Sequence, residues 1–157
     1  MRTFWIGVAS REHVLRAVKG GFCQLSHGKE APVQRLHQGD VIIFYSPRER
    51  MGDAAPLRAF TALGEVTDEA AFPAKQTERF HPYRRKVRYY DTETIEIRSL
   101  LLSLSFTRDR DHWSSSFRRG SFKISSDDFA VIAKAMGLGA KEFHHLAQTA
   151  ISLGKFR

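Results

Sequence analysis

The chain has one cysteine, Cys23, so it can form no internal disulfide and no multi-cysteine zinc site. No segment approaches the roughly 18 consecutive apolar residues of a membrane helix. The N-terminus, Met1-Arg2-Thr3-Phe4-Trp5, enters a strand-like run at once, with no long apolar stretch and no small-residue cleavage signal. The expectation is therefore no signal peptide and a cytoplasmic location. There is no Gly-x-Ser-x-Gly elbow and no Walker loop. Gly137-Leu138-Gly139 begins a Gly-x-Gly pattern, but residue 142 is Glu142, and a helix–helix turn explains it better.

Metal and acid–base chemistry are equally thin. Seven histidines are scattered, and none makes a His-x-x-x-His or His-x-His pair. Adjacent His144 and His145 point to different sides of a helix and cannot chelate together. Glu65, Asp68 and Glu69 read as a solvated strand end rather than a paired-carboxylate site. Cys23, in a Phe-Cys-Gln strand, reads as a small buried hydrophobe. No metal, no cofactor and no catalytic set is expected.

Acidic residues are also in deficit, 17 against 25 Lys and Arg, which gives a net charge of +8 and a pI near 10.0. Such an excess attracts polyanions, nucleic acid first among them, although it also serves solubility alone. What remains is an ordinary globular composition, 42% hydrophobic and 27% charged, with 12 phenylalanines. A chain of 157 residues favours one domain with a real core.

Phe4 to Ala9 reads as a buried strand. Ser10 is a helix N-cap, and the helix carries Val14, Leu15 and Val18 before Gly20-Gly21 stops it. Phe22 to Leu25 is a short extended piece, followed by a polar, irregular stretch through Gly28, Pro32 and Arg35. Gly39-Asp40 marks a turn before the clearest strand, Val41 to Tyr45. The loop from Arg48 to Pro56 is expected to be mobile, and Leu57 to Val66 is the next strand. Val87 to Tyr90, Thr94 to Ile97 and Phe117 to Ile124 follow as strands, with a short apolar helix over Ser99 to Leu104. Ser125 and Asp128 form a capping-box pattern. The helix behind them places Phe129, Ile132, Ala133 and Met136 on one face, and a last helix spans about residues 141–153. Strands without regular helical crossovers predict an α+β fold with a curved or barrel-like sheet.

The strongest local signal for binding is the run from Phe80 to Tyr90. In extended form, Tyr83, Arg85, Val87 and Tyr89 point one way, and Arg84, Lys86, Arg88 and Tyr90 the other. A row of cations can track phosphates, and aromatic rings can stack on bases. The competing reading is an edge strand guarded against aggregation by its charges. Arg118 and Arg119, near Trp113, form a second basic spot. Three strand ends, Ala9-Ser10, Phe22-Cys23-Gln24 and Tyr45-Ser46-Pro47, mix rings, hydroxyls and amides as a base pocket requires. Ordinary core rings and caps would read the same way.

Taken in order, Trp5 to His13, Gly20-Gly21-Phe22-Cys23-Gln24, His27-Gly28-Lys29, Gly39-Asp40 through Pro47, Phe60 to Val66, Pro82-Tyr83-Arg84-Arg85, His112-Trp113, Phe117-Arg118 and Ile124 to Phe129 are similar to the EVE domain of the PUA superfamily, in its bacterial branch. The resemblance runs from about Phe4 to Gly137. It implies a PUA-like, strongly curved β-barrel with peripheral helices, in a single domain over 1–157 whose C-terminal helical extension, at about 138–157, lies outside the family pattern. It also implies kinship to the YTH domain, which captures a methylated adenine of RNA in an aromatic cage. On that basis the expected function is a non-catalytic reader of a modified base in DNA or RNA. Ser10, Phe22, Gln24, Tyr45 and Ser46 would line its pocket, and Tyr83 and Arg84 would close one side. Arg85, Lys86, Arg118 and Arg119 would hold phosphates. A general structured-RNA-binding protein, or an enzyme acting on a base or nucleotide, are the alternatives.

Overall fold

The computed structural model describes residues 2–109 and 111–148. Eight strands and four helices follow one another in an α+β arrangement: β1 (Phe4–Val8), α1 (Arg11–Gly20), β2 (Phe22–Cys23), α2 (Glu30–Gln34), β3 (Val41–Ser46), β4 (Ala59–Val66), β5 (Phe72–Pro73), β6 (Tyr83–Tyr89), β7 (Ile95–Glu96), β8 (Ser121–Ile124), α3 (Ser126–Ala135) and α4 (Ala140–Ala147). The sheet order is β2-β6-β4-β3-β1-β8, with β5 on β6 and β7 on β4. β1 and β3 are parallel, and the other pairings are antiparallel. The pairings form an open path, so they do not close the sheet into the expected barrel.

Both faces of the central strands are covered, which is why β3 reads as an unbroken apolar run. Phe4, Ile6, Val41, Ile43 and Tyr45 join one core with α3, Leu146 of α4 and Phe122. Trp5, Ile42 and Phe44 join the other with Val14, Cys23, Leu25, Val33, Leu36 and Val87. Asp40, read in the sequence only as a turn residue, is a buried hub. Its carboxylate accepts from Trp5 Nε1 (3.1 Å), the Thr3 N–H (3.0 Å) and the His37 N–H (2.8 Å).

The helix ends follow the sequence. Ser10 Oγ accepts from the His13 N–H at 3.4 Å, and Gly21 closes α1 in the left-handed region. Ser125 Oγ accepts from the Asp128 N–H at 3.1 Å. The Asp128 carboxylate, however, turns to Ser105, accepting from its N–H and its hydroxyl, so the box is only half formed.

Four expectations about the elements are corrected. α1 buries Val14 and Ala17, leaving Leu15 and Val18 51% and 39% exposed, because residues three apart share a helix face and their neighbours turn outward. The supposedly irregular stretch contains α2, which tolerates Pro32 in its first turn, where no helical N–H is needed. Ser99 to Leu104 is not a helix: a 3₁₀ turn, Ile97–Leu100, leads into further turns. Ser115–Arg119 is a 3₁₀ turn, and strand begins only after Gly120, whose φ of 77° breaks extension. The loop after β3 is tied down at its start, as described below. Residues 149–153 of the last expected helix lie outside the described residues. Among the described residues, no helix is long and apolar enough to cross a membrane.

Candidate functional site

The C-terminal end of β1 and the start of α1 form one wall of a cleft of about 780 Å³. Two strand ends fix its position: the Val8 N–H donates to Gly120 O (2.9 Å) and the Ala9 N–H to Tyr45 O (3.2 Å). A helix start normally leaves backbone donors unpaired. Here the Arg11 and Glu12 N–H groups donate to the carbonyls of Arg48 and Glu49, at 3.0 and 2.9 Å. Ion pairs repeat that strap, Arg11 with Glu49 at 2.7 Å and Arg50 with Glu12 at 3.1 Å. The helix terminus is therefore spent on the 47–52 loop and is not free to hold an anion.

The opposite wall is a left-handed turn. Ser26, His27 and Gly28 take φ values of 47°, 60° and 85° in succession. For two residues with side chains this conformation is costly, and such outliers gather at functional sites. A Cβ at position 28 would stand 2.5 Å from Pro82 Cβ, so only glycine fits. The turn delivers Ser26 and His27 to the cleft, beside Gln24. Gln24 is held from behind: Arg84 donates Nε to its Oε1 at 3.0 Å and a terminal nitrogen to Gln76 Oε1 at 3.2 Å, while lying over the Phe22 ring at 3.7 Å.

Ser10, His13, Gln24 and Ser26 line the cleft together with Arg16, Arg48, Arg50 and Arg118, and Arg16 and Arg50 both pair with Glu12, at 3.5 and 3.1 Å. Glu12 is the one carboxylate among the lining residues. Burial lowers the His13 pKa below 6.5, and Arg16, Arg84 and His27 lower it further, outweighing a hydrogen bond with the Gln24 backbone. With its one ring N–H facing the Gln24 backbone, the neutral imidazole offers its other nitrogen as an acceptor, which can meet a donor on the edge of a heterocycle. Phe80, 36% exposed, and Phe117 contribute rings.

The structure thus brings Ser10, Gln24 and Arg118 together and separates the other sequence candidates. Phe22 lies beneath Arg84. Tyr45 is buried and stacks on Phe117, with ring centroids 3.8 Å apart, so its face is already filled. Ser46 is buried and shares a 2.8 Å hydrogen bond with Thr61. Tyr83 packs half-buried against the second core. Arg85 is corrected outright: it is 1% exposed, it pairs with Asp68 at 2.7 Å, and it donates to the Val33 and Leu36 carbonyls, so no phosphate can reach it. Lys86 and Arg119 are exposed but do not line the cleft, and Arg119 lies over Phe122 at 5.0 Å. Arg88 of the cationic face is paired with Glu65 at 3.0 Å.

Sequence reasoning missed His13, Ser26, His27 and the arginines of α1 and the 47–52 loop. The Ser10 cap did carry a signal for His13, since the residue three places after an N-cap lies one turn in, above the cap. Cys23 is fully buried, and burial pushes its thiol up to about 12, which removes it as a nucleophile. Among the described residues, no group of three His, Cys, Asp or Glu side chains could hold a metal ion.

The α+β fold of this chain is shared with several solved structures. Rpa0253 of Rhodopseudomonas palustris is similar over 91% of this chain and 99% of its own, with a TM-score of 0.54 and 15% identity. The YTH domain of Zygosaccharomyces rouxii MRB1, solved in complex with N6-methyladenosine RNA, is similar over 85% of each chain, with a TM-score of 0.54 and 18% identity. The EVE domain profile matches residues 3–135, and the chain belongs to that family. A UPF0310 protein of Bacillus licheniformis is 46% identical over 127 residues, covering 81% of this chain and 86% of its own. α4 lies beyond the family match and packs on it through Phe143, stacked on Phe129 at 5.6 Å.

Proposed function

We propose that this protein is a non-catalytic nucleic-acid-binding module that takes one base, modified in its preferred ligand, into the cleft between α1 and the Ser26–Gly28 turn. The observation that carries this reading is the mixture of chemistry lining one cleft, neutral hydrogen-bonding groups beside an excess of cations. Neutral hydrogen-bonding groups, Ser10, His13, Gln24 and Ser26, lie among the lining residues together with four arginines. Neutral groups read a heterocycle's edge, while cations hold phosphates without regard to sequence. Phe80 offers the exposed ring for stacking, in place of Phe22 and Tyr45. The Zygosaccharomyces rouxii protein, which shares the fold, was solved with RNA carrying a modified base, and that agrees with the reading without carrying it.

A panel of modified and plain nucleosides, each free and within short DNA and RNA strands, tests the proposal. One modified base should bind better than its plain parent in the free and the strand-borne form. Binding of structured RNA hairpins with no base preference would favour a general RNA-binding role instead, and detected turnover of any member would overturn the non-catalytic reading.

A further inference from the structure

A second recess, of about 220 Å³, has lining residues that touch residues lining the cleft. The N–H groups of Leu57 and Arg58, which line it, both donate to the Pro47 carbonyl at 2.7 and 3.2 Å. Trp113, also in its wall, meets the Phe117 ring edge-on at 6.4 Å. Pro47 and Phe117 themselves line the cleft. The recess is smaller than the roughly 300–1,000 Å³ usual for a free small-molecule site, so it suits part of a larger ligand.

Its chemistry is that of a stacking step with cations. Arg58 holds φ at 55°, a conformation glycine adopts freely and a residue with a side chain adopts at a cost. Pro47 O, accepting from the Arg58 N–H, and the Ile97 N–H, donating to Arg58 O at 2.9 Å, maintain it. In this conformation the guanidinium lies 5.8 Å from the centre of the Trp113 ring, near the outer limit of about 6 Å for such contacts. Arg98 is a second cation on the recess, and Glu96 is its one carboxylate. An aromatic platform beside two guanidinium groups is the pattern by which single strands are held.

We propose that this recess holds the nucleotide adjoining the base taken into the cleft, its base stacking on Trp113 and its phosphate lying between Arg58 and Arg98. This rests on the cleft being a base site, and the test separates the two. The probes are N6-methyladenosine as free nucleoside and fluorescein-labelled 9-mer RNA and DNA, with and without a central N6-methyladenine. Trp113→Ala should weaken 9-mer binding about tenfold, the loss of one stacked base, and leave nucleoside binding unchanged. Arg58→Gly should raise the melting temperature, since glycine relieves the left-handed backbone, yet lower the slope of log affinity against log salt by about 0.7. Wild-type tryptophan emission should be quenched saturably by the 9-mers, and that quenching should vanish in Trp113→Phe, Trp5 being buried. If the 9-mers bind equally well to both variants and leave the emission untouched, the recess has no such role, whatever the cleft does. If wild-type protein binds neither nucleoside nor any 9-mer, and the same holds for every other base of the panel, the base site falls and this inference with it.

Discussion

Phe117 stacks on Tyr45 with 3.8 Å between ring centroids and 12° between ring planes. The contact fills the place where a base was expected to lie on Tyr45, and Phe117 also lines the cleft and meets Trp113 of the smaller recess edge-on. Phe117→Ala should therefore cost about 3–5 kcal/mol of stability, as for other buried phenylalanines. Tyr45→Phe, which keeps the stack, should leave oligonucleotide binding unchanged. Urea unfolding and fluorescence anisotropy check the two halves.

Buried Arg85 pairs with partly exposed Asp68 at 2.7 Å, with further arginine donors on the buried Val33 and Leu36 carbonyls. Removing one member leaves an uncompensated buried charge or carbonyl. Arg85→Ala should destabilise the fold by about 3–5 kcal/mol. At temperatures where the variant remains folded, its salt dependence of binding should match wild type. Arg118→Gln should do the reverse, leaving stability within about 0.5 kcal/mol of wild type and flattening the salt dependence.

His13 gives the fold a pH dependence of definite sign. Burial, with Arg16, Arg84 and His27 nearby, lowers its folded pKa below 6.5. Above 6.5 both folded and unfolded forms are neutral at this residue, so it adds no slope. As pH falls from 6.5 toward the lowered folded value, the unfolded chain takes up the proton first, and stability drops. Urea midpoints measured from pH 8 to pH 5 should fall in this acid window, and His13→Gln should reduce the fall.

Cys23 is fully buried, with its thiol pushed up to about 12. A chromogenic thiol reagent at pH 8 should react with it only at the rate of unfolding, and completely in denaturant. Rapid labelling of the folded protein would show that β2 opens from β6.

Much of this fold can be read from the chain because its signals are local. Ser10 and Ser125 cap helices through neighbouring residues, and β3 declares itself by an unbroken apolar run. The alternation along β6 is legible as well: Arg85 shares a face with Val87, and an apolar companion marks that face as inward. Its partner, Asp68, is 17 residues away, and the carbonyls it satisfies belong to α2 and the residues after it, so only packing reveals the site. The cleft escaped for the same reason. The left-handed turn at Ser26–Gly28 is set by the approach of Pro82, and the helix start is closed by Arg48 and Glu49, both distant in sequence.

The most direct measurement is the map of backbone amide shifts when the nucleoside selected by the binding panel is added to the labelled protein. The expected shifts concentrate at Ser10, His13, Gln24, Ser26, His27 and Gly120, with Lys86 and Arg88 on the outer face of β6 unmoved. Shifts centred on that outer face with Gln24 and Ser26 silent would contradict the cleft as the base site.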